Sequence, residues 1–135
     1  MIDSLKLVGD FHEAFEVYEP GHIDDADTNS LRISLLQEEL DELRSALGEN
    51  DKVAVLDALS DLQYVLDGAY HCFGLAKYKS EAFKEVHRAN MSKLKEGRPV
   101  YRIDGKILKG PDYIPPALAE IMSEVDGKDG KDGKI

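Results

Sequence analysis

Hydrophobic residues recur at three- and four-residue steps through most of the chain, which is the spacing of amphipathic helices. The first helix is predicted from Ser4 to about Tyr18, before a proline and a glycine end the pattern. After a polar loop, a second helix is predicted from about Asn29 to Leu47 and a third, strongly apolar, from about Asp51 to Phe73. A fourth is predicted from Ser80 to Glu96.

After the fourth helix the pattern changes. Two short apolar runs, 100–103 and 106–108, flank Asp104-Gly105 and predict a small β-hairpin. A last short helix is predicted from Ala117 to about Val125, and residues 126–135, an Asp-Gly-Lys repeat, are predicted to be disordered. The predicted fold is all-α: an antiparallel four-helix bundle with a C-terminal β-ribbon and a terminal helix, forming one domain over residues 1–125.

Two of the predicted helices carry acidic side chains beside their apolar stripes. These acids are Glu38, Glu39, Glu42, Asp57 and Asp61. A turn at 48–50 and antiparallel packing would bring the five carboxylates together. Like charges about 6 Å apart repel by roughly 2–3 kcal/mol per pair at an effective dielectric near 20, so such a cluster needs a cation. All-oxygen carboxylate sites suit Mg²⁺ or Mn²⁺.

At these residues the chain resembles the all-α nucleoside triphosphate pyrophosphatases, which include MazG, dimeric dUTPases and phosphoribosyl-ATP pyrophosphohydrolases. Their signature is Glu-Glu-x-x-Glu on one helix and Glu-x-x-Asp on the next, and residues 38–42 match its first half. In the second half Ala58 stands where the acid is expected, three residues before Asp61, and Asp57 is the nearest acid. The resemblance extends over about 11–116 and looks closest to the small phosphoribosyl-ATP-pyrophosphohydrolase-like members often found in phages and bacteria.

The resemblance implies metal-dependent hydrolysis of a (deoxy)nucleoside triphosphate between its α- and β-phosphates, with dGTP or dUTP among the candidate substrates. Two or more Mg²⁺ or Mn²⁺ ions are expected per site. Glu39, Glu42 and Asp61 are the expected metal ligands, with Asp57 in place of the missing acid. Glu38 is the expected general base, orienting or deprotonating the attacking water.

Further residues are candidates for substrate binding. Asn90 lies on the predicted buried stripe of the fourth helix and needs a partner there; with Lys93 it belongs to a run, Asn-Met-Ser-Lys, typical of the small pyrophosphohydrolases. We expect both to contact phosphate, although an interhelical hydrogen bond and a solvated lysine are the alternative. Tyr64 lies in line with the acids of its helix, and Arg32 is either a surface charge or a partner of a carboxylate. His12 is a packing residue unless, as the resemblance implies, it lies near the nucleotide.

Two other functions fit the acids less well. A di-iron carboxylate bundle needs Glu-x-x-His pairs on two helices, and the run 19–22, which has this spacing, contains a proline and a glycine. A non-enzymatic helical dimerisation or partner-binding module would treat the acids as a solvated face. That interpretation does not explain why acids adjoin the apolar stripes of two consecutive helices.

The composition limits which binding partners and which cellular compartment can be expected. The 135 residues carry a net charge of −10, spread along the chain, which argues against binding to nucleic acid or to anionic membranes. No apolar run approaches the roughly 20 residues of a membrane span. Cys72 is the single cysteine and cannot form an internal disulfide, which favours a reducing compartment. We therefore expect a cytoplasmic protein, and the resemblance implies a bacterial cell or phage-infected host. The amphipathic helices and the open acidic groove, like the resemblance, favour a homodimer or homotetramer that completes the core and the groove.

Overall fold

The computed structural model describes residues 1–132 of the chain. Within this range it has five α-helices, one short 3-10 turn and a two-stranded sheet, so the chain is mostly helical, as predicted. It divides into two compact units, residues 1–76 and the residues from Lys77 onward. The single domain over 1–125 and the four-helix bundle stay predictions. No helix in the described range is long and apolar enough to cross a membrane.

The first unit contains three helices, α1 (Ser4–Ala14), α2 (Ala26–Gly48) and α3 (Lys52–Cys72). Each begins after an aspartate, at position 3, 25 or 51, whose side chain accepts a hydrogen bond from the backbone N–H three residues later. These caps explain why α2 begins three residues earlier than predicted. The first helix ends four residues earlier than predicted because Glu16 takes a left-handed conformation, with φ 54°.

Small side chains form the core of the first unit. Helix α3 packs against both α1 and α2, and the buried apolar residues are Val8, Ala46, Ala58, Ala69 and Cys72. Large apolar side chains on the outer surfaces of α2 and α3 stay between 44% and 79% exposed: Ile33, Leu40, Leu47, Val53 and Leu56. The helices therefore approach closely, and they leave apolar surface uncovered.

The loop between α1 and α2 meets the end of α3. The N–H of Gly21 donates to the carbonyl of Cys72 at 3.0 Å. A Cβ at Gly74 would collide with the carbonyl oxygen of Gly21, and both glycines have positive φ, 77° and 71°. Glycine is therefore required at position 74 by both space and conformation.

The second unit contains α4 (Lys79–Met91), β1 (Val100–Tyr101), β2 (Ile107–Leu108) and α5 (Leu118–Asp132). The predicted hairpin is confirmed: β1 and β2 are antiparallel, with Val100 opposite Leu108. The N–H of Arg102 donates to the carbonyl of Lys106 at 2.7 Å and closes the turn.

Helix α4 differs from its prediction in length and in its buried face. It ends at Met91 because the next residues form turns, and the hydroxyl of Ser92 accepts the N–H of Ile114 at 3.0 Å. The predicted buried stripe, which includes Phe83, Val86 and Asn90, is wrong, since Phe83 and Val86 are 70% and 37% exposed. The helix packs against α5, and its buried residue is Ala89.

The last helix also differs from its prediction. It continues to Asp132, so residues 126–132, predicted to be disordered, are helical; residues 133–135 lie outside the described range. Asp126 explains part of this extension, because its carboxylate accepts the hydroxyl of Tyr78 at 2.6 Å and pairs with Lys77 at 3.0 Å.

Candidate active site

Three carboxylates meet where α2 packs against α3. Glu39 and Glu42 lie one helical turn apart on α2, and Asp61 comes from α3. One oxygen from each carboxylate lies within 4.8 Å of the others. The short connection after Gly48 sets the register of the two helices and so determines which acids face each other. We call these three residues the acid cluster.

None of the cationic side chains in the described part of the chain offsets the charge of Glu39 or Asp61. Burial raises the pKa of Glu39, and the neighbouring charges of Glu42, Asp61 and Glu38 raise it further. Burial likewise raises the pKa of Asp61, followed by the charges of Asp57 and Glu42. Oxygen Oε2 of Glu39 is buried and has no hydrogen-bond partner among the described residues.

A divalent cation would remedy each of these features. It would give the orphaned oxygen of Glu39 a partner and would offset the repulsion between the carboxylates. A donor set made only of carboxylate oxygens fits Mg²⁺ or Mn²⁺ rather than a thiolate-preferring metal. The residues present therefore fit a hard divalent ion.

The other two predicted acids lie at the edge of the acid cluster. Glu38 and Asp57 are both exposed, and their charges raise the pKa of Glu39 and of Asp61, respectively. Asp57 is not one of the three carboxylates that meet. With Glu42 it lines a cavity of about 300 Å³, which Ala58 also borders. The acid expected at position 58 is thus replaced by a buried alanine beside open space.

His12 and Arg32 are both buried, at 5% and 8% exposure, and they meet at Gly68. A Cβ at Gly68 would lie 2.7 Å from Nη1 of Arg32 and 3.1 Å from Nε2 of His12. Nδ1 of His12 lies 2.9 Å from the carboxylate of Glu19. Arg32 is therefore not a surface charge, and the absence of a side chain at Gly68 makes room for its guanidinium.

Glu19 and His71, which were not predicted as site residues, also belong to this group. Nε2 of His71 lies 2.7 Å from the carbonyl of Leu5, and its Nδ1 lies 4.0 Å from Glu19. A Cβ at Gly9 would lie 3.0 Å from the His71 ring. Two glycines on facing helices, at 9 and 68, were the available signal, because each leaves room for an imidazole or guanidinium.

Tyr64 lies one turn after Asp61 on α3 and belongs to an aromatic cluster. Its ring packs edge-on against Phe11, with centroids 5.5 Å apart, and Phe11 lies 4.5 Å from Phe15. Tyr64 is 42% exposed and Phe15 is 69% exposed. The cluster therefore presents flat apolar surface to solvent on the first unit.

Comparison with protein families identifies the chain. Residues 8–90, more than half of its length, match the profile of the phosphoribosyl-ATP pyrophosphohydrolase family, PRA-PH. The chain belongs to this family. PRA-PH is part of the all-α MazG-like nucleoside triphosphate pyrophosphatase superfamily, so the resemblance at the acidic residues is confirmed. A search of curated proteins found no match.

Membership of PRA-PH makes the chain a pyrophosphohydrolase that acts on a nucleotide. The PRA-PH match begins at Val8, within α1, contains all of α2 and α3, and ends at Asn90, one residue before the end of α4. The family is typically metal-dependent, and this member carries the acid cluster on α2 and α3.

Asn90 and Lys93 lie in the second unit, at the end of α4 and just beyond it. Asn90 is exposed, so the prediction that it needs a buried partner is wrong. Its carbonyl accepts the N–H of Lys93 at 3.1 Å, and the carbonyl of Lys93 accepts the N–H of Gly110 at 2.9 Å. A Cβ at Gly110 would lie 2.6 Å from that carbonyl, so glycine fixes the backbone here. Contact of either side chain with phosphate stays a prediction.

Proposed function

We propose that this PRA-PH member hydrolyses a nucleoside triphosphate between the α- and β-phosphates, releasing a nucleoside monophosphate and pyrophosphate. The observation that carries the proposal is the acid cluster, in which raised pKa values and an orphaned oxygen indicate a missing cation. A role in controlling the nucleotide pool would follow from this reaction.

Glu39, Glu42 and Asp61 would hold two or more Mg²⁺ or Mn²⁺ ions, with Asp57 as a further ligand. Such ions, when bound, offset phosphate charge and make water easier to deprotonate. Glu38 is exposed beside Glu39, and it accepts a proton from the attacking water. The water oxygen bonds to phosphorus while the bridging P–O bond breaks, and pyrophosphate leaves.

The remaining candidates bind the substrate. Asn90 and Lys93 carry an amide and an ammonium group, which donate to phosphate oxygens. His12, Arg32 and Tyr64 lie on the first unit with the acid cluster, and they contact the nucleoside.

A panel of triphosphates tests the proposal. Canonical and common aberrant triphosphates are incubated with metal-stripped protein, with Mg²⁺ or Mn²⁺ and with EDTA, and products are separated by ion-exchange chromatography. We expect monophosphate and pyrophosphate in one step, abolished by EDTA and restored by either ion. Glu42→Gln should impair the reaction, whereas Glu13→Gln, an exposed acid on α1, should not. Accumulation of nucleoside diphosphate and orthophosphate would place the cut at the wrong bond.

The family match supports a second candidate substrate, phosphoribosyl-ATP, which the family is named for. It also carries a triphosphate, so the same acid cluster would serve. Including it in the panel decides between the two, because the preferred substrate has the higher kcat/KM. A protein that binds metal but releases pyrophosphate from neither class would instead be a binding module.

We further propose that the chain forms a homodimer or homotetramer. Apolar side chains on α2 and α3, including Val53 at 79% exposure and Leu56 at 67%, are uncovered in the single chain. Burying such surface against a second copy is favourable. Light scattering should give a mass of two or four chains, and a stable, active monomer at micromolar concentration would contradict this.

A further inference from the structure

A second cavity, of about 230 Å³, lies at the beginning of α2. Its lining contains two buried polar residues, Arg32 and Thr28, together with the acidic Asp27 and the aromatic Tyr18. Two aliphatic residues, Val17 and Leu31, complete it. A flat ligand with polar edges and apolar faces suits such a lining. We propose that this cavity binds the base of the nucleotide and selects guanine. The inference rests on the proposed function, which supplies a nucleotide as substrate.

Arg32 is held in place before any ligand arrives. Its guanidinium fills the space left by Gly68, which His12 also borders, and His12 is itself held by Glu19. The side chain is 8% exposed, and its Nε–H has no acceptor among the described residues. Because the guanidinium is ordered before a ligand arrives, little side-chain entropy is lost when a ligand binds beside it.

The distance from the cavity to the acid cluster suits one nucleotide. Arg32 and Glu39 are seven residues apart on α2, so they lie on the same face and about 10 Å apart along the helix axis. A base beside Arg32 would therefore point its sugar and phosphates along α2 toward Glu39. One ligand can then contact Arg32 in the cavity and, through its cations, the acid cluster, in which Oε2 of Glu39 has no partner among the described residues.

The arrangement of donors and acceptors favours guanine. Guanine has two adjacent acceptors, O6 and N7, which match the fork of an arginine. On another edge it has two adjacent donors, N1–H and the 2-amino group, which match a carboxylate such as Asp27. Adenine places a donor where guanine has O6 and would meet the arginine with the wrong group. The pyrimidines lack the paired acceptors, and Tyr18 can stack on any base.

The 2-amino group allows a direct test at Asp27. Deoxyinosine triphosphate differs from dGTP only by lacking that group, so wild type should favour dGTP in kcat/KM by about tenfold or more. Asp27→Asn should bring the dGTP-to-dITP ratio close to one, because an amide cannot accept both donors. Asp24→Asn removes the same charge from the preceding loop, outside the cavity lining, and should keep the wild-type ratio. An unchanged ratio in Asp27→Asn would overturn the inference.

A binding measurement separates this inference from the proposed function. Calorimetry with Mg²⁺ and the monophosphates dGMP, dIMP, dAMP and dUMP should give tightest binding for dGMP, and Arg32→Lys should weaken dGMP far more than dUMP. Tight dGMP binding without hydrolysis of any triphosphate would leave the inference standing and contradict the proposed function. Hydrolysis of all bases alike, with equal binding of the four monophosphates, would leave the proposed function standing and overturn the inference.

Discussion

Glu85 and Glu39 are the same residue type in opposite electrostatic surroundings. Hydrogen bonds from Arg88 and from the N–H of Ala117 lower the pKa of Glu85 from 4.5 to about 2. Burial and neighbouring carboxylates raise the pKa of Glu39 above 4.5. Within the described residues, the first carboxylate has a cationic partner and the second has none. The direction of the shift thus distinguishes an acid that stabilises the fold from one that is a candidate ligand.

The hydrogen-bond partners of Glu85 show which two segments of the chain it holds together. Arg88, one turn later on α4, donates to it from Nε at 2.7 Å and Nη2 at 2.9 Å. Arg88 also donates to the carbonyls of Ile114 and Pro115, and the N–H of Ala117 donates to Glu85 at 2.7 Å. Glu85 therefore ties the segment before α5 to α4.

The largest expected effects separate the roles of the acids on α2. Glu38→Gln should lower kcat by about 10²–10⁴-fold at saturating metal, because a general base is lost. Glu39→Gln or Glu42→Gln should instead raise the Mg²⁺ concentration needed for activity, since a ligand is lost. Steady-state kinetics over a Mg²⁺ series measures both. If all three variants behave alike, Glu38 loses its assignment as the base.

A somewhat smaller effect is expected at Asp57, which lies outside the group of three carboxylates but beside Asp61. Asp57→Asn should lower activity by about 10–100-fold, as losses of metal-supporting groups do. Ala58→Glu should restore activity in that variant, because the cavity of about 300 Å³ beside Ala58 has room for the side chain. Near-normal activity of Asp57→Asn, with unchanged circular dichroism, would mean that α3 contributes Asp61 alone.

In metal-free protein, the carboxylates of the acid cluster and that of Glu85 should make the free energy of unfolding depend on pH in opposite directions. Glu39 and Asp61 have pKa values raised above 4.5 and 3.8, so the folded state binds more protons and the free energy of unfolding falls as pH rises through that range. Glu85 stabilises the fold above pH 4.5, and that contribution is lost as the pH falls toward 2.

Urea unfolding in EDTA, from about pH 3 to about pH 7, tests this dependence. Glu39→Gln should raise the midpoint near neutral pH and flatten the decline, since the buried carboxylate and its repulsion are gone. Mg²⁺ should raise the wild-type midpoint at the same pH. A lower midpoint in Glu39→Gln would show that Glu39 has a positive partner after all.

The smallest effect on activity is expected from Glu85→Gln. It should lower the urea midpoint of the protein at neutral pH while leaving the activating Mg²⁺ concentration unchanged, because Glu85 lies outside the acid cluster. Glu81→Gln is a matched control on the same helix: Glu81 pairs with Lys84 at 3.2 Å, and both are exposed enough for the pair to contribute little. Equal midpoints for the two variants would contradict the fastening role of Glu85.

The sequence predicted those features that depend on residues close together in the chain. The bounds of α3 were predicted to within one residue at each end, because Asp51 caps one end and the apolar period stops at the other. The meeting of Glu39, Glu42 and Asp61 followed from helical spacing and a short turn. Family membership was likewise evident from residues 38–42.

Features that depend on distant partners were missed. Helix α4 packs against α5, a partner that its own periodicity does not contain, and that periodicity pointed to Phe83 and Asn90 instead of the buried Ala89. The group formed by His12, Glu19 and His71 joins α1, its loop and α3, and no single helical pattern contains it. Tertiary packing decides such features, and it leaves only indirect traces such as Gly68.

The contact between Gly21 and Gly74 bears on the order of folding. It closes a loop that contains the whole of α2 and α3, and contacts between residues far apart in sequence carry a larger entropic cost and form late. The hairpin of α2 and α3, joined by a short turn, is by contrast local. We therefore expect the carboxylates of the acid cluster to come together before His12 and Glu19 reach their places, so that their repulsion slows folding as well as destabilising the finished protein.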